Sequence, residues 1–152
     1  MAADEAAPMP KEGSFVTLTM GSATYKRLEQ GKDRVTMSWE FLGAGQSEDP
    51  RAIIHGATVR CVGAMHAVAG VPESFVNACT WTRPDGDQFF HVEKLVAGKL
   101  GGASQGTSTI VGGTGKLTGI TGSSEWSRTV LRPSAEGTFQ TLTRSKGNYK
   151  IP

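Results

Sequence analysis

Residues 75–96 read Phe-Val-Asn-Ala-Cys-Thr-Trp-Thr-Arg-Pro-Asp-Gly-Asp-Gln-Phe-Phe-His-Val-Glu-Lys-Leu-Val, two runs rich in β-branched and aromatic residues on either side of Pro84-Asp85-Gly86-Asp87. Asp-Gly supplies the two positive-φ positions of a type I′ turn, so residues 75–83 and 88–96 are expected to form a β-hairpin. A two-residue loop at Asp85-Gly86 would pair Arg83 with Gln88, Trp81 with Phe90, Cys79 with Val92 and Asn77 with Lys94. Those residues would share one face, leaving Thr80, Ala78, Phe89, His91 and Glu93 on the other.

The same reading extends in both directions. Upstream, residues 53–68 suggest a long strand bent at Gly56 or Gly63, and Gly70-Val71-Pro72 turns the chain back. That turn places Val59 opposite Trp81, Cys61 opposite Cys79 and Met65 opposite Phe75. Residues 34–42 alternate cleanly, with Val35, Met37, Trp39 and Phe41 on one side and Arg34, Thr36, Ser38 and Glu40 on the other, the period of a half-buried strand. Residues 15–20 and 23–28 are strand-like on either side of Gly21. Downstream, residues 107–111, 123–131 and 137–149 follow, separated by glycine-rich and Pro133-containing turns. No segment carries sustained helical periodicity. Seven to nine antiparallel strands in sequence point to an all-β, closed up-and-down barrel, a form that leaves no strand edge exposed.

The chain's 152 residues suit a single domain with a substantial core, read as a flexible segment over residues 1–13 and a barrel over 14–152. Sixteen basic and fourteen acidic residues alternate in sign for a net charge of +2, with no basic cluster interleaved with aromatics, which speaks against a nucleic-acid surface. No apolar run approaches the roughly 20 residues of a membrane-spanning helix. The opening Met1-Ala2-Ala3-Asp4-Glu5-Ala6-Ala7-Pro8 has no basic or apolar leader region and resembles the start of a mature exported protein, periplasmic or secreted, with a frayed cytoplasmic terminus as the alternative.

The face carrying Ile53, His55, Val59, Cys61, Met65, Phe75, Asn77, Cys79, Trp81, Phe90 and Val92 is the more apolar, so it is expected to point inward. An interior of about eight strands has room for side chains or one small ligand. Aromatic and aliphatic walls with a few polar groups are how small-molecule pockets are built. Trp39, Phe41, Cys61, Trp81, Phe90 and Lys94 are therefore candidate ligand-binding residues. His55, Asn77 and Arg83 are candidates for orienting polar atoms or moving a proton; a core histidine with a satisfied hydrogen bond is the competing reading of His55. Cys61 and Cys79 would form a cross-strand disulfide in an oxidising compartment, or two small core thiols in the cytosol.

Other chemistries find little support. Val111-Gly112-Gly113-Thr114-Gly115-Lys116-Leu117 lacks the first glycine and the final hydroxyl of a phosphate loop. His55, His66 and His91 are not spaced as a metal site, and no nucleophile elbow occurs. No cofactor is expected.

Residues 109–122, Thr-Ile-Val-Gly-Gly-Thr-Gly-Lys-Leu-Thr-Gly-Ile-Thr-Gly, resemble the glycine turn of the allene oxide cyclase and dirigent superfamily, including its bacterial barrel members, and the hairpin Trp81-Thr82-Arg83-Pro84-Asp85-Gly86-Asp87 resembles the same bacterial group. The resemblance spans residues 75–131 and implies an eight-stranded calycin-like barrel, often a homotrimer, with a hydrophobic cavity. It implies work by holding a reactive ligand in one conformation away from water. The matching turn is structural and transfers no catalytic residue. The resulting expectation is a barrel that binds a small hydrophobic or aromatic molecule, acting as a cofactor-independent isomerase, cyclase or lyase. The alternatives are a non-catalytic carrier and a structural protein with a filled barrel.

Overall fold

In the computed structural model, which describes residues 9–152, eight strands follow one another around a closed antiparallel barrel. They are β1 (Glu12–Gln30), β2 (Arg34–Gln46), β3 (Thr58–Val68), β4 (Val71–Thr82), β5 (Gln88–Gly98), β6 (Ser104–Gly113), β7 (Thr121–Val130) and β8 (Thr138–Lys150). Each pairs with its successor, and β8 returns to β1, where Leu18 lies between Gln46 and Arg144. Each strand thereby has a partner on both sides, although β4 and β5 pair only from Asn77–Glu93 to Thr82–Gln88. Residues 1–8, most of the expected flexible segment, lie outside the described residues, and β1 already begins at Glu12.

The chain reads as expected in β2, whose Val35, Met37, Trp39 and Phe41 all face the interior. Gly21 does not divide β1. The Phe41 ring lies where its Cβ would be, so glycine here admits a neighbour without breaking the strand. The expected pairs Val59–Trp81, Cys61–Cys79 and Met65–Phe75 are all present between β3 and β4.

Two expectations need correction. Residues 53–57 are not part of a strand: hydrogen bonds from Ala52 N–H to Asp49, from His55 N–H to Ala52 and from Ala57 N–H to Ile54 wind residues 49–57 into successive turns. Their apolar run mimics a strand because it is buried, not because it is extended. The hairpin loop also has three residues rather than two. Arg83 N–H donates to Asp87 O at 2.9 Å, Gly86 N–H donates to Arg83 O at 2.9 Å, and Gly86 has φ +90°. This is a type I turn on Pro84-Asp85 followed by a left-handed glycine, and proline at the first central position suits it.

The extra loop residue slides β5 by one position against β4. Trp81 now faces Phe89, Cys79 faces His91 and Asn77 faces Glu93. A one-residue slip exchanges the two faces of a strand. Phe89, His91 and Glu93 therefore point inward, whereas Phe90 and Lys94, expected inside, point outward.

The barrel's two ends differ. At one, the 49–57 turns and the glycine-rich segment around the short 3-10 turn Gly115–Leu117 fold inward and fill the lumen. Ile53, Leu117, Ile120 and Phe89 are fully buried there, packed with Phe15, Ile54, Tyr149 and Ile151. Gly45 lets this floor dock, since Ile54 occupies the space its Cβ would take. The Asp87 carboxylate accepts the Lys116 N–H at 3.1 Å and ties the hairpin loop to the glycine turn.

Candidate ligand cavity

Above the floor the lumen is hollow. A cavity of about 520 Å³ runs from Ile54, Trp81 and Phe89 to an opposite end bordered by Arg27, Lys99, Leu100 and Arg132. Its wall carries an aromatic belt drawn from five strands. Tyr25 lies 5.8 Å from Phe139, Phe139 6.4 Å from Trp39, Trp39 5.9 Å from Phe75, and Phe75 6.5 Å from Trp126, all as ring centroids. Nearer the floor, Trp81 stacks on Phe89 with planes 4° apart. Such tilted and offset pairs are favourable ring geometries.

Strand register explains where the polar groups fall. Successive lateral partners run Trp39, Gly63, Asn77, Glu93, Ser108, Ser124 from β2 to β7, all facing the lumen. Gly63 leaves its place to the Trp39 ring and the Asn77 amide. Trp39 Nε1–H donates to Asn77 Oδ1 at 3.1 Å, and Asn77 Nδ2–H donates to Glu93 Oε2 at 3.0 Å. Arg128 reaches across from β7, its Nη2 donating to Glu93 Oε1 at 3.0 Å and Oε2 at 3.2 Å, its Nε to Thr143 Oγ1 at 3.0 Å. The guanidinium also lies 4.4 Å above the Trp126 ring, a cation–π contact in a water-poor site. Ser108 and Ser124 hydrogen-bond to each other.

Glu93 is a buried charge that is fully paired. Burial pushes its carboxyl upward, but the neighbouring His91 and the Arg128 guanidinium outweigh that cost and hold it at about 2. It is therefore ionised at neutral pH, and its attraction to Arg128 offsets desolvation only because the remaining lone pairs are also bonded. His91 is held on its other side. Trp81 Nε1–H donates to His91 Nδ1 at 3.0 Å, which assigns the ring proton to Nε2. Nε2 sits 3.4 Å from Glu93 Oε1, buried and without a well-directed hydrogen bond.

Cys61 and Cys79, laterally paired on β3 and β4, form a disulfide with Cα atoms 4.1 Å apart on the cavity wall. Cys79, His91 and Glu93 bring three potential metal donors within 4.8 Å. All three are spent: the sulfur in the disulfide, the His91 Nδ1 lone pair on Trp81, the carboxylate on Arg128 and Asn77.

Of the residues singled out in the sequence, Trp39, Phe41, Cys61, Asn77 and Trp81 line this cavity. The other four do not. His55 lies in the floor turns, accepting the Ser47 N–H at Nδ1 (3.2 Å). Arg83 braces the floor by donating to Ile53 O at 3.0 Å. Phe90 and Lys94 are turned outward by the register. Arg128, Trp126 and the Ser108–Ser124 pair carry no local signal in the sequence, and a two-residue hairpin loop places both His91 and Glu93 on the outer face. Reading Pro84-Asp85-Gly86 as a type I turn with a following left-handed glycine would have brought His91 and Glu93 inside.

No known family model matches the chain, and no curated protein matches it. Among solved structures, the chain is similar to the pterocarpan synthase dirigent protein GePTS1, with a TM-score of 0.50 over 100% of this chain and 97% of that one at 8% identity. The class thus defined is a closed, eight-stranded, dirigent-like barrel. At such low identity the likeness carries the fold alone.

Proposed function

We propose that this barrel holds one small apolar or aromatic molecule in its hollow half. The observation that carries the reading is the asymmetry of the lumen: side chains fill one end to exclusion, while about 520 Å³ at the other is walled by an aromatic belt. That volume lies in the range of small-molecule sites. A dirigent-like neighbour supports the same reading at the level of fold.

The polar groups favour holding over proton transfer. The lone pair of His91 Nδ1 is committed to Trp81, and the Glu93 carboxylate is bonded by Asn77 and Arg128. A general base needs a free lone pair within reach of the proton it takes. Any isomerisation, cyclisation or cleavage of the bound molecule would then proceed by confinement, without a cofactor. The carrier reading is separated from it by turnover: a ligand recovered chemically unchanged after long incubation is being carried. The disulfide on the cavity wall supports an oxidising location, periplasmic or extracellular. Assembly as a homotrimer belongs to the same proposal and is tested by native mass.

Native mass spectrometry of the purified protein for a co-purifying apolar compound is the direct test, with naphthalene as a probe through quenching of tryptophan emission. Saturable one-to-one binding is expected. A barrel that takes up none of a series of aromatic probes overturns the proposal.

A further inference from the structure

Resting on that reading, we infer that the ligand carries a neutral hydrogen-bond acceptor, a carbonyl oxygen, which points at Arg128. The inference comes from counting donors and acceptors around the cluster. Both Glu93 oxygens receive hydrogen bonds, from Arg128 and Asn77. Asn77 Oδ1 is taken by Trp39, and His91 Nδ1 by Trp81. Ser108 and Ser124 share one hydrogen bond, which leaves one of their two hydroxyl protons uncommitted.

The donors are not used up. Arg128 commits Nε and Nη2, while Nη1 has no partner among the described residues. Trp126 Nε1–H, beneath that guanidinium, is buried without a partner, whereas His91 Nε2 already faces Glu93 Oε1 at 3.4 Å. Trp126, Arg128 and His91 all line the cavity. An unpartnered buried N–H carries a desolvation cost that an acceptor removes, so the empty cluster is selective before any ligand arrives.

Charge then narrows the class. Glu93 and Arg128 already neutralise one another, so a carboxylate on the ligand would add an uncompensated negative charge beside Glu93. A ketone, ester or amide carbonyl meets the donors without that cost. A simple alcohol also brings a hydroxyl proton, for which the carboxylate and amide oxygens are taken and only the serine oxygens remain.

The experiment is isothermal titration of the intact oxidised chain with naphthalene, 2-acetylnaphthalene, 1-(2-naphthyl)ethanol and 2-naphthoate. The ketone is expected to bind tightest, by about tenfold or more over the hydrocarbon, the range of a hydrogen bond to a charged group. Trp126→Phe removes an N–H that bonds to nothing and should narrow the ketone's advantage without unfolding the chain. Arg128→Lys keeps the charge opposite Glu93 and should abolish the advantage. Equal binding of ketone and hydrocarbon, or tighter binding of alcohol or naphthoate, overturns the carbonyl inference and leaves the cavity reading standing. Failure of all four probes to bind overturns both.

Discussion

The two ends of this barrel are made from the same strands yet obey different packing rules. At the floor, Ile53, Leu117, Ile120 and Phe89 are sealed from solvent by chain segments that leave the sheet and fold inward. Toward the other end the inward side chains are larger, but Trp39, Phe75 and Phe139 stay only half-buried because they meet across open space. Interior density is what stabilises a small domain, and an unfilled aromatic lumen forgoes that contribution. The comparison teaches that stability is concentrated where the barrel is plugged and recognition where it is not. Substitutions should separate along the same line.

The largest effects challenge the division, because one stabilising element lies in the hollow half. Arg128→Met leaves the Glu93 carboxylate buried without its counter-charge and should cost about 3–5 kcal/mol in chemical denaturation. Floor truncations come next. Leu117→Ala or Phe89→Ala should cost about 2–5 kcal/mol, with naphthalene affinity almost unchanged for Leu117→Ala, which lies outside the cavity lining. If Leu117→Ala abolishes binding while stability holds, the two ends are not independent.

Acid sharpens the comparison. The Glu93 carboxyl is held at about 2 in the folded chain, well below an ordinary glutamate near 4.5. A depressed folded value contributes stability that is fully present above the unfolded value and is lost as pH falls toward the folded one. Thermal stability should therefore drop between roughly pH 4.5 and 2, and Glu93→Gln, already destabilised at neutral pH, should show a shallower drop over that window. Wall residues of the hollow half should affect binding more than stability. Phe75→Leu is expected to cost about 1 kcal/mol or less in stability and to weaken naphthalene binding measurably in the same titration.

Much of the architecture was legible because strand alternation is a local property. The inward set of β2, the β3–β4 register and the closed all-β form follow from period-two patterning and a recognisable turn at Gly70. The floor was less legible. Residues 53–57 are as apolar as a strand, and only tertiary hydrogen bonds distinguish buried turns from an extended segment. The polar cluster was legible only in part. Arg128 meets Glu93 across 35 residues of chain, a pairing that barrel closure creates and no local pattern announces. The register of β5 depended on a single loop residue, and its neighbour sequence Phe89-Phe90 hid the error, since either phenylalanine makes a plausible inward aromatic.

That ambiguity supplies the smallest predicted effect and the most direct check on the register. Phe89 is fully buried against Trp81, whereas Phe90 lies on the outer face, laterally beside Thr80 and Gly112. Phe90 is only half-buried on that outer face, so Phe90→Ala should cost about 1 kcal/mol, below the cost at Phe89. The same substitution should leave tryptophan emission nearly unmoved, because Phe90 touches no part of the aromatic belt, while Phe89→Ala strips the stacked partner from Trp81 and should shift it. Comparable losses at the two positions would mean that β5 can slip between faces, and with it His91 and Glu93 would leave the lumen.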